Sequence, residues 1–208
     1  MSRPAVTSRK SAKSEYIETD SLNKVSRRTC ISGTANITLA GRTVVQADVH
    51  LRGDLHRLNH PTAQQPTTTK PASVGPSISV GKCVVVSSGS VLRPPSRVSR
   101  GIVQFYPMKV GDHVFIGSNT HVSSISIASH VHISENCILH PFSIINQNVK
   151  ILPNTIVPGQ MVVPANSMIG GQPARVVGEV GEGWGVSTGG AGGEWVEGGE
   201  LRELVRSI

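Results

Sequence analysis

Aliphatic side chains recur at every sixth position through the second half of this 208-residue chain. From Ile127 onward the period gives eight aliphatic residues without a break: Ile127, Ile133, Leu139, Ile145, Ile151, Val157, Val163 and Ile169. The fourth residue after each anchor is also able to enter a core: Val131, Cys137, Ser143, Val149, Thr155, Met161 and Ser167. Because residues two apart on a strand share a face, each of these residues and the next anchor point inward. The period therefore predicts a series of short strands with one buried side.

The same period occurs earlier in the chain in other phases. The earlier sets are Val110, Ile116 and Val122, then Val80, Val86 and Leu92, and a weaker set of Ile37, Thr43, Val49 and Leu55. One residue is deleted between Val122 and Ile127. Two insertions separate the sets. Residues 60–76 are rich in Pro, Thr and Gln and predict a solvated loop, and residues 93–109 open with Arg-Pro-Pro and predict an excursion from the coil.

A hexad of one short strand and one turn is too short for a hairpin or a βα unit, so hexads must stack to bury a core. Aromatic residues make up only 3% of the chain, and 22 glycines suit short strands joined by tight turns. In these features the chain resembles the hexapeptide-repeat parallel β-helices, where three hexads close one triangular coil. The resemblance implies a left-handed coil. We therefore predict an all-β fold, a left-handed parallel β-helix of roughly five coils.

The chain divides into three parts. The β-helix domain is predicted at residues 15–178, with loop insertions at 60–76 and 93–109. Residues 1–14 carry four basic side chains and no acid, which predicts a disordered basic tail. Residues 179–208 form a Gly-rich acidic tail. Its one segment able to form a helix, around 194–208, is short and is interrupted by Gly198 and Gly199.

Charge and cysteine usage narrow the classes of partner. The formal net charge is +7, with −4 on residues 179–208 and therefore +11 on the first 178 residues. A basic body suits nucleic acid, anionic lipid or an acidic protein surface. No nucleic-acid module is recognisable and aromatic stacking residues are scarce, so nucleic acid is not an expected partner. No apolar run is long enough to predict direct membrane insertion. Cys30, Cys83 and Cys137 lack metal-ligand spacing and predict free thiols in a reducing compartment.

The residue before each anchor points outward, and every third hexad lies on the same side of the coil. One side would show Phe115, His132, Lys150 and Met168, the second His121, Ile138 and Ile156, and the third Ile144 and Val162. Aliphatic residues stacked in two outward columns are unusual for a free monomer. We interpret Ile138, Ile156, Ile144 and Val162 as candidate partner contacts. In the alternative interpretation, the tail folds back over one column.

Two enzyme chemistries occur on similar β-helices, and this chain lacks residues that each of them needs. Residues 49–54 (VHLRGD) resemble a pattern of the γ-class carbonic anhydrases, whose zinc is held by three histidines, two of them five residues apart. No pair among the eight histidines here has that separation. Residues 110–117 (VGDHVFIG) are similar to the acyl-donor coil of hexapeptide acyltransferases, but His113 or His121 has no accompanying acceptor site. We predict a non-catalytic chain with no cofactor and no metal, and keep a homotrimeric enzyme of either kind as the alternative.

Several sequence blocks occur in one order along the chain, and the N-terminal block is one that the hexad period does not demand. They are KSEYIET at 13–19, NKVSR at 23–27, RGD at 52–54, RPP at 93–95 and GDHVFI at 111–116. Together they resemble the dynactin subunit 5 family over about residues 13–178. The chain departs from that family in its basic start, in the 60–76 insertion, and in a Gly-rich tail that replaces a longer C-terminal helix.

The resemblance implies a non-catalytic structural subunit of dynactin's pointed-end complex, cytoplasmic and cytoskeleton-associated. It implies a hetero-oligomer that links dynein to cargo, including endosomes, through adaptors in microtubule-based transport. The implied partners are dynactin subunit 6, dynactin subunit 4, the terminal actin-related protein and dynein cargo adaptors. Arg93, Arg97 and Arg100 are candidates for an acidic adaptor or neighbour, with simple solvation as the alternative. Arg52 and Asp54 flank a turn and are expected to form a structural or inter-subunit ion pair.

Overall fold

The protein is a left-handed parallel β-helix with three sheets as its sides. A computed structural model describes residues 15–56, 75–181 and 203–204. Each coil contributes one strand to sheet A, the next to sheet B and the third to sheet C, and successive coils pair in parallel. The predicted tail at 1–14, most of the 60–76 loop and most of the Gly-rich tail lie outside the described residues. Within the tail, Glu203 and Leu204 are helical.

Sheet A has seven parallel strands and one antiparallel strand at each end. The parallel strands are β2 (Lys24–Ser26), β5 (Val44–Val45), β8 (Val85–Val86), β13 (Phe115–Ile116), β16 (Val131–Ile133), β19 (Val149–Ile151) and β22 (Ser167–Gly170). The antiparallel strands β1 (Tyr16–Glu18) and β23 (Arg175–Glu179) pair with β2 and β22. They close both edges of this sheet, as the ends of a repeat stack require.

Sheets B and C have six parallel strands each in the described part of the chain. Sheet B consists of β3 (Cys30–Ser32), β6 (His50–Arg52), β9 (Val91–Leu92), β14 (His121–Val122), β17 (Ile138–Leu139) and β20 (Ile156–Val157). Sheet C consists of β4 (Ile37–Gly41), β7 (Ile78–Lys82), β12 (Met108–Val110), β15 (Ser126–Ile127), β18 (Ile144–Ile145) and β21 (Val162–Val163). A 3-10 turn, Thr34–Asn36, precedes β4.

The anchors form one continuous core. Ile116, Ile133, Ile151 and Ile169 stack in successive coils of sheet A, and all four are fully buried. They pack against the corresponding anchors of the other two sheets in one cluster. Burying an aliphatic side chain of this size contributes about 1.5–3 kcal/mol. The period-six prediction of a single aliphatic core is confirmed.

Two details of the period differ from the prediction. The N-terminal strands β2 and β3 add a coil to the roughly five expected. In the first coils the true anchors are Leu39, Val45 and Leu51, which pair with Val80, Val86 and Leu92. The predicted set that begins at Ile37 was two residues out of phase. Its members Thr43 and Val49 are nevertheless fully buried, because residues two apart on a strand point the same way.

The turns follow the same period. The third residue after most anchors has a positive φ, although those after Leu51, Leu92, Val122 and Ile169 do not. Among residues other than glycine, asparagine adopts this conformation most readily. The asparagines at this position are Asn119, Asn136, Asn148, Asn154 and Asn166, with φ between 54° and 57°. Side chains less suited to this conformation occupy it elsewhere: Cys83, His113, His130, Phe142 and Gln160.

We expect Gln160→Asn to stabilise the protein by about 1 kcal/mol, because asparagine tolerates the left-handed conformation that Gln160 adopts at φ 63°. The Gln160 side chain is exposed, so the change removes no buried contact. The control is Gln147→Asn, at an exposed turn residue that lacks a positive φ. Denaturant unfolding would measure the stability of both variants, and equal changes in unfolding free energy at the two positions would contradict the expectation.

Most of the 93–109 segment leaves the coil, but Met108 and Lys109 lie in β12 of sheet C. The segment forms the antiparallel hairpin β10 (Ser96–Ser99) and β11 (Ile102–Phe105), closed by the turn Arg100-Gly101. Both turn residues have positive φ, 50° and 77°, as a type I′ hairpin turn requires. The hairpin leaves the coil between β9 of sheet B and β12 of sheet C. The 60–76 insertion begins at the same corner one coil earlier, between β6 and β7.

Candidate protein-contact surface

The outward side chains form the three columns that the sequence predicts. Phe115, His132, Lys150 and Met168 are aligned on sheet A, His121, Ile138 and Ile156 on sheet B, and Ile144 and Val162 on sheet C. Each column repeats at the coil spacing of about 4.8 Å. Sheet register thus places the four candidate aliphatic contacts as two stacked pairs.

The outward column of sheet A is not displayed on the surface. Val44, Val85, Phe115 and His132 are all buried, and Lys150 and Met168 are half-buried. The rings of Phe115 and His132 stack with centroids 4.8 Å apart. The expectation that Phe115 and His132 show on the surface is therefore wrong, because both side chains are buried. Sheets B and C remain the two open sides.

The C-terminal halves of sheets B and C expose aliphatic side chains. Val162 is 58% exposed, Ile138 is 37% exposed and Ile144 is 36% exposed. Ile156 is half-buried, because the loop that follows β22 crosses the end of sheet B: the Ile156 N–H donates to the Gly171 carbonyl, and the Ala174 N–H donates to the Ile156 carbonyl. The N-terminal halves of the same columns are mainly polar, with Cys30 and His50 on sheet B and Thr38, Ser79 and Lys109 on sheet C.

An open depression of about 520 Å³ lies beside Ile156. Its lining residues are His140, Ile156, Pro158, Gly159, Gln172 and Pro173. The Gln172 amide donates to the Asn154 carbonyl, which uses part of its hydrogen-bonding capacity within the chain. The depression therefore extends the aliphatic column of sheet B as a mostly apolar hollow.

The corner between sheets B and C carries the predicted arginines. Arg93 follows β9, Arg97 lies in β10 and Arg100 lies in the hairpin turn, and all three are exposed. Residues 93–109 contain these three arginines and Lys109 and no acidic residue. Charges of one sign on a protruding segment favour an acidic partner.

One aromatic contact connects the base of the hairpin to the coil. Tyr106, just after β11, meets Phe142 in the turn after β17, with ring centroids 5.2 Å apart in an edge-to-face arrangement. Phe142 adopts φ 64°, an unusual conformation for an aromatic residue. The contact spans two coils and fixes the hairpin base against the same corner that separates the two aliphatic columns.

Arg52 and Asp54 lie at this corner one coil before the hairpin. They form a two-bonded salt bridge within the chain, with Arg52 Nε to Asp54 Oδ1 and Arg52 Nη2 to Asp54 Oδ2 both 2.9 Å. Hydrogen bonding from Arg52 lowers the pKa of the Asp54 carboxyl. Because the two charges satisfy each other, the geometry favours a structural ion pair over one with another subunit.

The exposed aliphatics of the hairpin were not among the predicted contacts. Val98 and Val103 form a cross-strand pair and are 67% and 53% exposed, and Ile102 is also exposed. The Arg-Gly turn lacks the usual Asn-Gly signal of a two-residue hairpin, which is why the sequence showed only an excursion. The flanking Pro95 and Pro107 and the β-branched run between them were the available signal.

The histidine and cysteine side chains that could serve catalysis are stacked or partly buried. His113 and His130 stack with parallel rings, centroids 5.0 Å apart, and burial lowers the pKa of His113. Burial also raises the pKa of the Cys83 and Cys137 thiols, which disfavours the reactive thiolate. All three cysteines are free. Among the described residues, no three His, Cys, Asp or Glu side chains meet as a metal site.

The described residues also contain no helix with the length and hydrophobicity needed to cross a bilayer.

Among solved structures, the chain is similar to bacterial acyltransferases. The N-acyltransferase AntD from Bacillus cereus gives a TM-score of 0.57 at 12% identity, covering 76% of this chain and 80% of that one. Perosamine N-acetyltransferase from Caulobacter crescentus gives 0.54 at 13% identity, covering 76% and 57%. At such low identity these similarities show the β-helix fold alone.

Comparison of sequences, in contrast to comparison of structures, finds relatives of higher identity. Dynactin subunit 5 from Dictyostelium discoideum is 34% identical over 117 residues, which cover 56% of this chain and 49% of that protein. The chain therefore matches about half the length of this curated relative. A sequence model of the family described as dynactin subunit 5 matches residues 72–185, from just before β7 to beyond β23. The chain belongs to the dynactin subunit 5 family.

Proposed function

We propose that this chain is a non-catalytic structural subunit of dynactin, placed in the pointed-end complex. In this role it links dynein to cargo, including endosomes, through adaptors during microtubule-based transport in the cytoplasm. Its partners are dynactin subunit 6, dynactin subunit 4, the terminal actin-related protein and the cargo adaptors. The observation that carries the proposal is the family match over residues 72–185, which spans the two open sheets and the B–C corner.

The contact surface of this proposal consists of Ile138 and Ile156 on sheet B, Ile144 and Val162 on sheet C, and the arginines of the hairpin. The aliphatic pairs supply apolar area on a rigid framework, since parallel hydrogen-bond ladders between successive coils hold their strands. Arg93, Arg97 and Arg100 supply charge for an acidic adaptor or neighbour. A rigid surface of this kind loses little conformational entropy on binding.

The non-catalytic part of the proposal is supported by the chemistry of the candidate groups. The His113–His130 stack orients two imidazole rings face to face, and burial disfavours protonation of His113. A stacked ring with a lowered pKa is a weaker base than a free histidine, which disfavours general base catalysis. The mechanism we propose is therefore rigid display: the coil fixes the distance between binding surfaces.

Affinity purification at native expression level, with mass spectrometry of the companions, tests the proposal. We expect dynein, actin-related proteins and a second hexapeptide-repeat subunit to be recovered with the chain. Recovery of the chain alone as a homotrimer, with bound zinc or acyl-coenzyme A turnover, would replace the proposal with the enzyme alternative.

We expect aspartate at Ile144 and Val162 together to reduce recovery of these partners by about tenfold or more, because a charge at the centre of an apolar contact is costly. The same double change at Ile138 and Ile156 tests the sheet B column. The control is Thr38→Asp together with Ser79→Asp, at outward positions of the polar half of sheet C. Unchanged recovery in both aliphatic variants, with solubility also unchanged, would exclude these columns as contacts.

A further inference from the structure

The hairpin β10–β11 stands apart from the coil with its apolar face uncovered. Val98 and Val103 face each other across the two strands and are the most exposed part of that face. Two-stranded hairpins are only marginally stable in water, and an exposed apolar cross-strand pair is normally covered. The only ring contact of the hairpin region among the described residues is the one between Tyr106 and Phe142 at its base.

The two outer edges of the hairpin differ in their protection. Strand β10 carries Arg97 and follows Pro94 and Pro95, and charge and proline are the usual devices that keep an edge from pairing. Strand β11 reads Ile-Val-Gln-Phe and has neither a charge nor a proline within it. Its edge is therefore open to a further strand.

The register identifies which backbone groups of β11 face outward. The loop has two residues, so Ser99 and Ile102 form a hydrogen-bonded pair, and such pairs alternate with non-hydrogen-bonded ones. The bond from the Tyr106 N–H to the Pro95 carbonyl, 2.9 Å, fits this alternation. The N–H and C=O groups of Val103 and Phe105 consequently point away from β10.

The charge of the hairpin indicates which side chains such a strand would carry. The segment from Arg93 to Lys109 has four positive charges and no negative one. Arg100 lies in the turn at one end of β11, and Lys109 follows at the other end. A strand beside β11 would place its side chains within reach of these cations, where acidic residues are stabilised and basic residues are repelled.

We propose that the open edge of β11 binds an extended acidic segment of a partner protein, with alternating apolar and acidic residues, as a third strand of the hairpin. Backbone hydrogen bonds to Val103 and Phe105 hold the segment, its apolar side chains cover the exposed valine pair, and its carboxylates meet Arg97 and Arg100. This inference deepens the proposed function, because it states the chemistry of the partner on the arginine side of the contact surface.

The test uses the purified full chain and a fluorescent peptide of four Val-Glu repeats, with four Val-Lys repeats as the comparison probe. We expect the acidic peptide to bind, more weakly at high salt, and the basic peptide not to bind. Val103→Pro removes an edge N–H without breaking a bond to β10, and should lower affinity by about tenfold or more. The matched control Val103→Thr keeps the N–H and should retain most of the binding. Arg97→Glu with Arg100→Glu should reverse the preference between the two peptides.

Three results would overturn the proposal. The first is that the Val103→Pro variant binds the acidic peptide as tightly as the parent does, and the second is that the parent binds the acidic and basic peptides equally. The third is that the parent self-associates and Val103→Pro abolishes this association, which would make a second copy of this chain the occupant. The hairpin lies outside the coil, so an unchanged unfolding transition of each variant shows that the β-helix is intact. Because the peptide assay needs no other dynactin subunit, its failure and the failure of partner recovery are separate results.

Discussion

Replacing Gly117 by alanine destabilises the β-helix by about 3 kcal/mol, while the same change at Gly178 does not destabilise it. This is the expected outcome of denaturant unfolding followed by circular dichroism. A methyl group at Gly117 would lie 2.5 Å from the carbonyl carbon of Ser134 and 2.6 Å from the nitrogen of Glu135. These are backbone atoms of the next coil, so no side-chain rotation relieves the clash.

Hydrogen bonds prevent the coils from moving apart to accommodate the methyl group. The Gly117 N–H donates to the Ile133 carbonyl at 2.8 Å, and the Ser90 hydroxyl donates to the Gly117 carbonyl at 2.7 Å. Separating Gly117 from the next coil would break its bond to Ile133 and open the core between Ile116 and Ile133, both fully buried. A gap in a close-packed core loses dispersion contacts on both sides.

Gly178 is the matched control for this experiment. It lies in the capping strand β23, has no positive φ, and an added methyl group there would meet no atom within 4 Å. Alanine also restricts the unfolded chain, so Gly178→Ala should be neutral or slightly stabilising. Gly111→Ala provides a second test of the clash, since its methyl group would lie 2.7 Å from the carbonyl carbon of Ala128. Equal unfolding midpoints for Gly117→Ala and Gly178→Ala would contradict the expectation.

The sequence predicted the repeat well because the core is built from local rules. One aliphatic anchor every six residues determines which side chain enters the core, and the sheet register follows from stacking equal coils. The phase of the first coils was ambiguous, since Leu39 and Ile37 both point inward on β4 and only their pairing with β7 distinguishes them. The period therefore determined the columns of the contact surface, but it did not determine the first anchors.

The exposure of those columns was not predictable from the period. Phe115 and Ile138 occupy equivalent outward positions, yet Phe115 is buried and Ile138 is exposed. The difference depends on tertiary packing around each sheet, and no local rule encodes it. The hairpin depends on tertiary context in the same way: Arg100 takes a positive φ in a turn whose sequence alone does not require it.

Acidification from pH 7 to pH 5 should destabilise the protein more than it destabilises a variant that lacks His132. The His132 ring is 4% exposed and stacks on Phe115 on the outward side of sheet A. Burial, with a smaller contribution from the charge of Lys150, lowers the pKa of His132 from 6.5 to about 4. The folded protein therefore favours the neutral imidazole, whereas the unfolded chain binds a proton near pH 6.5.

The direction in which stability changes with pH follows from this difference in pKa. Stability from the neutral His132 is fully present above pH 6.5, declines as the pH falls through the window from 6.5 to about 4, and is lost below it. A shift of this size corresponds to about 3 kcal/mol in total, of which about 2 kcal/mol is lost by pH 5. His132→Phe keeps an aromatic ring against Phe115 and removes the titration, so the stability of this variant should fall by about 2 kcal/mol less than that of the parent between pH 7 and pH 5.

Measuring the unfolding free energy of both proteins at several pH values between 7 and 5 cancels the contribution of the carboxylates, which the two proteins share. His121→Gln is the matched control, because it removes an outward-facing histidine that is exposed on sheet B. A His132→Phe variant whose stability changes with pH as the parent's does would show that this ring is not held neutral by burial. A smaller pH dependence restricted to that variant would establish that burial on the outward side of sheet A keeps the His132 ring neutral.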